Sequence, residues 1–307
     1  MDNCNNKYRL GINTGFALNR FPTPEQWMKL ISEELGLKYI QLTADLINPP
    51  LDDDLLYYYI EKINILKKNY GIIIDSLMTG AFTRVNHFAH PDTKIREFWF
   101  RWFKKFIDIA VSLGATNVSS HLGIMSYDDI NTEDKRLYRL GQTINYWIML
   151  ASYAKKKGLS YLSWEPMSIK REFGETIKEA NIIQDKLKNS EIPIYICLDV
   201  DHGDVSSNNP DDYNPYKWIE NFASKSPLIH LKQSIEDKGG HYPFTSYYNH
   251  KGKITPEKVI TSLNNSNAMK NTLLLLELSF REREPMDSNV ISDLKESAKY
   301  WKKYLGG

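Results

Sequence analysis

The sequence has few cysteines, no long apolar run and almost no net charge. Cys4 and Cys197 are the only two cysteines among 307 residues, which argues against a disulfide framework or a cluster of thiolate metal ligands. No apolar stretch approaches the roughly 20 residues that a membrane helix needs, and the first residues lack the apolar core of a signal peptide. We therefore expect a soluble, cytoplasmic protein with no membrane partner.

The charge balance argues against a nucleic-acid partner. The chain has 39 basic and 38 acidic side chains, which gives a formal net charge of +1. A protein with this balance has no general attraction to a phosphate backbone. We therefore predict a small-molecule partner and no nucleic acid.

Short apolar runs rich in β-branched residues alternate with helical patterns along the whole chain. The predicted strands are 10–15, 39–46, 72–79, 116–123, 161–167, 194–203, 228–234 and 272–280. The predicted helices are 23–35, 55–69, 93–113, 134–157, 175–188, 214–223, 255–263 and 290–304. Such alternation predicts parallel βα units, and eight units close most economically into a (β/α)8 TIM barrel. We predict an α/β fold with a single domain over residues 1–307 and a polar N-terminal tail over residues 1–8; a doubly wound open sheet is the alternative.

Two further features refine this prediction. Thr23 and Thr255 each precede a proline, as expected for a helix N-cap followed by proline at the first helical position. Residues 235–253 form the longest irregular stretch and contain His241 and His250. A loop of this length in a compact domain is more often functional than idle.

Polar residues interrupt the apolar runs at the ends of the last four predicted strands. Glu277 lies in a leucine-rich run, and Glu165, Asp199 and His230 end three other runs. A buried carboxylate must be paired, ligate a metal or take part in chemistry. Side-chain alternation allows these four residues and His121 to face inward at the C-terminal rim, where barrel enzymes place their active sites. Two glutamates, one aspartate and one histidine suit one divalent ion such as Mn, Mg, Co or Zn, and the spacing does not choose among them.

Each of these residues also has a structural interpretation. Glu277 could form an ion pair with Arg281, and an isolated histidine such as His230 is often a hydrogen-bonded core residue. Asp199 and Asp201 have the same strand parity, so alternation does not separate them. For His121, structural packing and substrate contact are equally supported.

Four motifs together resemble one protein family. They are Glu165-Pro166-Met167, Asp199-Val200-Asp201-His202, His230-Leu231-Lys232 and Leu276-Glu277-Leu278. Their order and spacing are similar to the strand-end motifs of the sugar phosphate isomerase/epimerase superfamily, whose xylose isomerase-like barrels include the ketose 3-epimerases. The resemblance covers all eight βα units, although only the last four carry motifs.

The resemblance implies a set of site residues. Glu165, Asp199, His230 and Glu277 would bind the metal, and His202 would contact substrate oxygens. Glu172 resembles the family's substrate-binding glutamate after the fifth strand. The long loop after the seventh strand departs from the family pattern, which leaves the substrate open.

The resemblance also implies a mechanism. A proton beside the carbonyl of a ketose would be removed to give an enediolate and then returned. In family epimerases the two metal-binding glutamates also act as base and acid, which would give Glu165 and Glu277 two roles. An aldose–ketose isomerase could use the same site. Lys232, Arg281 and Lys251 lie near the predicted rim, where barrels often bind phosphate, so a sugar phosphate is a candidate substrate.

Other functions remain open at this point. An inosose dehydratase-like lyase could use the same scaffold, and a non-catalytic sugar-binding barrel is a further alternative. An apurinic-site endonuclease shares the barrel but resembles a site with several zinc ions and more histidines, and it needs affinity for a phosphate backbone. Family relatives often form dimers or tetramers, so a homo-oligomer is a further hypothesis.

Overall fold

Eight parallel strands close into a barrel in the computed structural model, which describes residues 7–235 and 239–305. The strands in chain order are β1 (Tyr8–Asn13), β2 (Tyr39–Thr43), β3 (Ile73–Met78), β4 (Asn117–His121), β5 (Tyr161–Glu165), β6 (Ile194–Asp199), β7 (Leu228–Leu231), β8 (Gln233–Ile235), β9 (Gly239–Tyr242) and β10 (Thr272–Leu276). The barrel order is β1-β10-β7-β6-β5-β4-β3-β2, whereas β8 and β9 form a separate hairpin. The predicted single-domain TIM barrel is confirmed, and the open-sheet alternative is wrong.

Helices follow the barrel strands and cover them from outside. They are α1 (Pro24–Lys29), α2 (Asp53–Tyr70), α3 (Thr93–Ser112), α4 (Glu133–Lys157), α5 (Ile177–Leu187), α6 (Pro215–Phe222), α7 (Ser246–Asn249), α8 (Pro256–Asn265) and α9 (Val290–Leu305). A π-helical turn over Leu30–Glu34 continues α1, which accounts for the longer predicted helix 23–35. Within the described ranges, no helix is long and apolar enough to cross a membrane.

Local sequence signals set the helix ends. Thr23 and Thr255 are the N-caps of α1 and α8, each followed by proline. Gly71 and Gly158 follow α2 and α4 in the left-handed conformation, with φ of 65° and 90°. Glycine adopts this conformation without a steric penalty, which explains why these helices stop there.

The parallel register brings the functional strand ends to one level. His121 of β4 is paired with Glu165 of β5, and Asp199 of β6 is paired with His230 of β7. Below this level, Cys197, Leu228, Leu273 and Leu275 form an apolar cluster of their own. The larger core lies between the strands and the helices. The packed cluster supports the polar layer above it.

The segment predicted as irregular, residues 235–253, is in part regular. Strands β8 and β9 pair antiparallel, and the single-turn helix α7 follows them. Gln233 fastens the base of the hairpin, because its side-chain amide exchanges two hydrogen bonds with the backbone of Ile254, at 2.9 and 3.0 Å. Strands of three and four residues with two glycines are too short to give a clear periodic pattern.

The structure describes the predicted N-terminal tail from residue 7 onwards. Strand β1 begins at Tyr8, one residue inside the predicted tail of residues 1–8. Residues 1–6, which include Cys4, lie outside the described part of the chain.

We expect Gly11→Ala to destabilise the barrel. Gly11 is in β1 between two neighbouring strands, and an added Cβ would lie 2.6 Å from the backbone oxygen of Tyr39. Overpacking of this kind costs about 1–3 kcal/mol of unfolding free energy. Urea unfolding followed by circular dichroism measures this loss.

Gly141→Ala is the matched control. Gly141 lies within α4, and nothing is within 4 Å of its added Cβ. Alanine in a helix interior is better than glycine by about 0.5–1 kcal/mol, so this variant should gain stability. Equal midpoints for the two variants would refute the proposed crowding at β1.

Candidate active site and metal centre

Four side chains from four barrel strands converge on one point at the C-terminal rim. Glu165, Asp199, His230 and Glu277 each offer a ligand atom, and these atoms all lie within 4.8 Å of one another. Nδ1 of His230 is 3.0 Å from Oε1 of Glu165 and 3.3 Å from Oε2 of Glu277. The four residues that sequence analysis singled out as ligands are thus brought together.

A hydrogen bond at Nε2, the ring nitrogen remote from the two glutamates, orients His230. Its Nε2 is 2.8 Å from Oε1 of Gln41, which also accepts a hydrogen bond of 2.8 Å from the side-chain amide of Asn13. Because a carbonyl oxygen only accepts, Nε2 of His230 carries a proton, and the lone pair of a neutral ring is then on Nδ1, towards the two glutamates. A second group that fixes the tautomer in this way is typical of histidine metal ligands.

The short distances between these charged groups shift their pKa values. Burial by itself would raise the pKa of Glu165, but the charge of His230 and the hydrogen bond and charge of His202 together outweigh it and hold the pKa at about 2. The same histidine, against the opposing effect of burial, holds the pKa of Glu277 well below its usual value. Burial disfavours a charged His230, yet Cys197, Glu277 and Glu165 raise its pKa well above normal. The cluster therefore favours a positive charge at its centre.

The donor set fits a divalent cation. Oδ2 of Asp199 and Oε2 of Glu277 are buried and have no hydrogen-bond partner within residues 7–235 and 239–305. Buried carboxylate oxygens without partners are costly, and a cation would satisfy both of them. Oxygen and nitrogen donors without sulfur suit Mn, Mg, Co or Zn. The buried cluster is thus consistent with a metal site, and its residues do not identify the metal.

A cavity of about 860 Å³ opens above the cluster. Its wall includes loops that follow most of the barrel strands. The lining residues include Arg84, His121, Glu165, Glu172, His202, His241, Glu277, Ser279 and Arg281. Asp199 and His230 are not on this wall, and they are 2% and 0% exposed. Two members of the cluster therefore face the cavity, while the other two lie beneath it.

Four of the six residues predicted to bind substrate line this cavity. Nδ1 of His202 is 3.4 Å from Oε1 of Glu165, so His202 adjoins the cluster. His121 is 1% exposed, and its Nε2 is 2.8 Å from the backbone oxygen of Val85. Burial lowers the pKa of His121 to about 4, so its ring is neutral near pH 7. Glu172 forms a salt bridge with Arg84 across the cavity, and Arg281 lies at its rim.

The other two predicted substrate residues are not on the cavity wall. Lys232 is 1% exposed, and its Nζ is 3.0 Å from Oδ1 of Asp199. Lys251 donates a hydrogen bond of 3.1 Å to the hydroxyl of Tyr247, on the exposed helix α7. Their positions do not support the predicted contact with substrate.

The structure separates two aspartates that strand parity left equivalent. Asp199 belongs to the cluster, whereas Asp201 forms a salt bridge with Lys253 and accepts a hydrogen bond from Ser234. Both oxygens of Asp201 thus have partners, whereas Asp199, which also pairs with Lys232, keeps Oδ2 without a hydrogen-bond partner within the described residues. The preference for Asp199, which came from the family spacing, agrees with this arrangement.

Several residues near the site were missed as site residues. His241 lies on β9, and its Nδ1 is 3.4 Å from Oε2 of Glu277. Arg84 pairs with Glu172, and Gln41 orients His230. Arg84 lies in a loop, His241 lies on the short strand β9, and Gln41 lies inside β2 without an obvious chemical motif. The residue types were visible in the sequence, but no periodic pattern points to their partners.

Comparison with known proteins gives consistent matches. A family model described as "Xylose isomerase-like TIM barrel" matches residues 30–304. The chain is 41% identical over 298 residues to a D-erythrulose 1-phosphate 3-epimerase of Brucella abortus (strain 2308), and the match covers 96% of both chains.

Solved structures show the same fold. A provisionally assigned xylose isomerase from Rhodospirillum rubrum ATCC 11170 matches with a TM-score of 0.87 and 24% identity, covering 96% of this chain and 99% of that one. A D-psicose 3-epimerase from Clostridium cellulolyticum H10 matches with a TM-score of 0.69 and 13% identity, covering 97% and 99%. At these identities the two structures support the fold alone.

We expect Asp199→Asn to weaken binding of a divalent ion far more than Asp201→Asn does. The first change removes a charged ligand, and loss of even an outer-shell partner typically costs 10–100-fold in affinity, so a loss of at least about 100-fold is expected. Asp201 is matched in residue type and strand parity but pairs with Lys253. Titration of the metal-free protein with Mn²⁺ by calorimetry measures both affinities. Similar losses in the two variants would contradict the assignment.

Proposed function

The chain belongs to the xylose isomerase-like TIM barrel family, and we propose that it inverts carbon 3 of a short phosphorylated ketose such as D-erythrulose 1-phosphate. The enzyme class is an isomerase of the sugar phosphate epimerase type. This class follows from the identity of 41% over 96% of both chains with a relative of that activity. The exact substrate, the direction of proton transfer and the roles of individual residues belong to the proposal.

One geometric observation carries the chemical part of the proposal. Glu165 and Glu277 both belong to the four-residue cluster and both line the cavity, whereas Asp199 and His230 lie beneath it. A substrate in the cavity can therefore touch only the two glutamates among the four. Proton transfer beside a carbonyl needs a base and an acid next to the reacting carbon.

The two glutamates approach from different sides. Glu165 ends β5 and Glu277 follows β10, and strands β6 and β7 separate them in the barrel. Removing a proton on one face of a carbon and returning one to the other face inverts that carbon. We assign one glutamate as the base that takes the proton from carbon 3. The other, ionised in the site without substrate, takes up a proton on substrate binding and acts as the acid that returns a proton to the enediolate.

Glu165, Asp199, His230 and Glu277 would hold a divalent ion in this site. When bound, such an ion supplies Lewis-acid polarisation of the substrate carbonyl, which favours loss of the neighbouring proton. His230 and Asp199 keep the ligand set rigid from below. Gln41 holds His230 in the tautomer that leaves Nδ1 free to bind.

Two histidines are placed to contact sugar oxygens. His202 is next to Glu165 on the cavity wall and can donate a hydrogen bond to an oxygen of the substrate. His121 donates from Nε2 to the oxygen of Val85, so Nδ1 of its neutral ring is an acceptor for a sugar hydroxyl. Glu172, held by Arg84, offers a further acceptor on the same wall.

Arg281 is the side chain we assign to the phosphate. Burial alternates from Glu277 to Arg281, with Leu278 and Phe280 at 5% and 7% exposure and Ser279 and Arg281 exposed. Glu277, Ser279 and Arg281 line the cavity, as do Leu278 and Phe280 between them. Arg281 is exposed at the wall of this cavity, so its guanidinium is available to an anion. Guanidinium groups bind phosphate through paired hydrogen bonds.

We expect Glu165→Gln and Glu277→Gln each to lower turnover by at least about 100-fold, because general acid–base groups typically contribute 10²–10⁴-fold. The assay follows D-erythrulose 1-phosphate by NMR in deuterated water with Mn²⁺ present. The wild-type protein should introduce deuterium at carbon 3 and form the other enantiomer, and both variants should lose this exchange. Ion content of each variant is measured in parallel, so that loss of the metal is distinguished from loss of the proton-transfer group.

Glu175→Gln is the matched control for these variants. Glu175 is also a buried glutamate, 6% exposed, but it is not on the cavity wall. It should keep exchange near the wild-type rate. With unphosphorylated D-erythrulose, deuterium at carbon 1 in place of carbon 3 would indicate an aldose–ketose isomerase, and elimination of water from either ketose would indicate a lyase; either result would overturn the epimerase proposal.

Arg281→Gln should raise KM for the phosphorylated ketose while leaving KM for the unphosphorylated ketose nearly unchanged. A hydrogen bond to a charged group contributes about 1.5–3 kcal/mol, so KM should rise about 10- to 150-fold. Arg283→Gln is the control, because Arg283 is exposed and does not line the cavity. Equal effects of Arg281→Gln on both ketoses would refute the phosphate assignment.

A further inference from the structure

A second group of possible metal ligands adjoins the first and shares one residue with it. Asp199, His202 and His241 also have ligand atoms within 4.8 Å of one another. A carboxylate common to two such groups is the arrangement that lets two metal ions, about 3.5–4 Å apart, act on one substrate. The donor atoms alone would therefore allow a centre with two ions.

The position that a second ion would need is occupied by Lys232. Its Nζ is 3.0 Å from Oδ1 of Asp199 and 3.0 Å from Nε2 of His241. Lys232 is 1% exposed. An ammonium group has three donors and no acceptor, so each of these contacts uses a lone pair that a metal ion would require.

We propose that the ammonium group of Lys232 takes the place of a second metal ion and keeps the centre mononuclear. This inference rests on the proposed ion at Glu165, Asp199, His230 and Glu277. In this arrangement Oδ1 of Asp199 binds Lys232, and Oδ2, which has no hydrogen-bond partner within the described residues, is left for the single ion.

The charges of the centre agree with this assignment. Glu165, Asp199 and Glu277 carry three negative charges when ionised. One divalent ion and one ammonium group balance them, with the histidines neutral. A second divalent ion in addition to Lys232 would leave a surplus of positive charge in a buried site, which is costly. The chain thus carries one of the two required cations as a side chain.

This assignment has a consequence for the substrate. His202 and His241 are not used as metal ligands, so both remain on the cavity wall for sugar oxygens. Because Nε2 of His241 accepts from Lys232, the proton of its neutral ring is on Nδ1, which is 3.4 Å from Oε2 of Glu277. The hairpin β8–β9 therefore adds a hydrogen-bond donor beside one of the two proton-transfer glutamates.

The test is the number of Mn²⁺ ions bound per chain, with electron paramagnetic resonance as a second readout. Wild-type protein should bind one ion and give the spectrum of an isolated Mn²⁺. Lys232→Met, which removes the charge at similar length, should bind two ions, with the exchange-coupled spectrum of a pair bridged by Asp199. Lys253→Met is the control, because Lys253 pairs with Asp201 outside the cluster, and it should bind one ion.

His241→Ala provides two further checks. Added to Lys232→Met, it removes a ligand of the second ion and should return the count to one. Made alone in the wild-type chain, it should leave one ion bound, a result that does not depend on whether Lys232→Met folds. Two ions in the wild-type protein, or a lone His241→Ala that loses an ion, would overturn the proposal, as would a folded Lys232→Met that binds only one.

The result of the ion count is independent of the result of the deuterium-exchange assay for the proposed epimerase reaction. One bound ion without deuterium exchange would refute the epimerase proposal and leave the role of Lys232 supported. Deuterium exchange in a wild-type protein that holds two ions would support the epimerase proposal and refute the role of Lys232. Absence of any bound ion would overturn both.

Discussion

Carboxylate crowding at the barrel mouth is the constraint on which the site depends. Glu165, Asp199 and Glu277 approach one another closely because three strands deliver them to the same level. Like charges in a poorly solvated place repel strongly, so positive charge must lie among them. Lys232 supplies one positive charge from the chain itself, and a divalent ion would supply the remainder.

The barrel determines which of these side chains can act on a substrate. Glu165 and Glu277 reach the cavity, while Asp199 and His230 are covered. Residues that are neither in the cluster nor on the cavity wall help to position it. Gln41, for example, orients His230 through one hydrogen bond. Under the proposed mechanism, the buried pair would hold the ion from below, and the accessible glutamates would both bind it and transfer protons.

The hairpin β8–β9 is the part of the chain that extends the barrel site. It brings His241 to Lys232 and Glu277, two residues on different strand ends. Gln233 fastens the hairpin to the backbone near Ile254, so His241 is presented from a fixed position. A loop that follows the seventh barrel strand thereby contributes to both the metal centre and the cavity wall.

Sequence by itself determined the barrel and most of the four-residue cluster, because both follow from local regularities. The alternation of apolar runs and helical patterns indicates βα units, and a charged residue at the end of an apolar strand needs a partner. These two rules identify Glu165, His230 and Glu277 without any structure. The family resemblance then added the preference for Asp199.

Only the tertiary structure decided the partners of the charged side chains. Strand parity indicates the face on which a residue lies, but it does not indicate what that residue contacts. Asp201 has the parity of Asp199 yet pairs with Lys253, and Lys232 binds Asp199 beneath the cavity although its position at a strand end suggested contact with substrate. These pairings join residues that are distant along the chain and become neighbours only when the barrel closes.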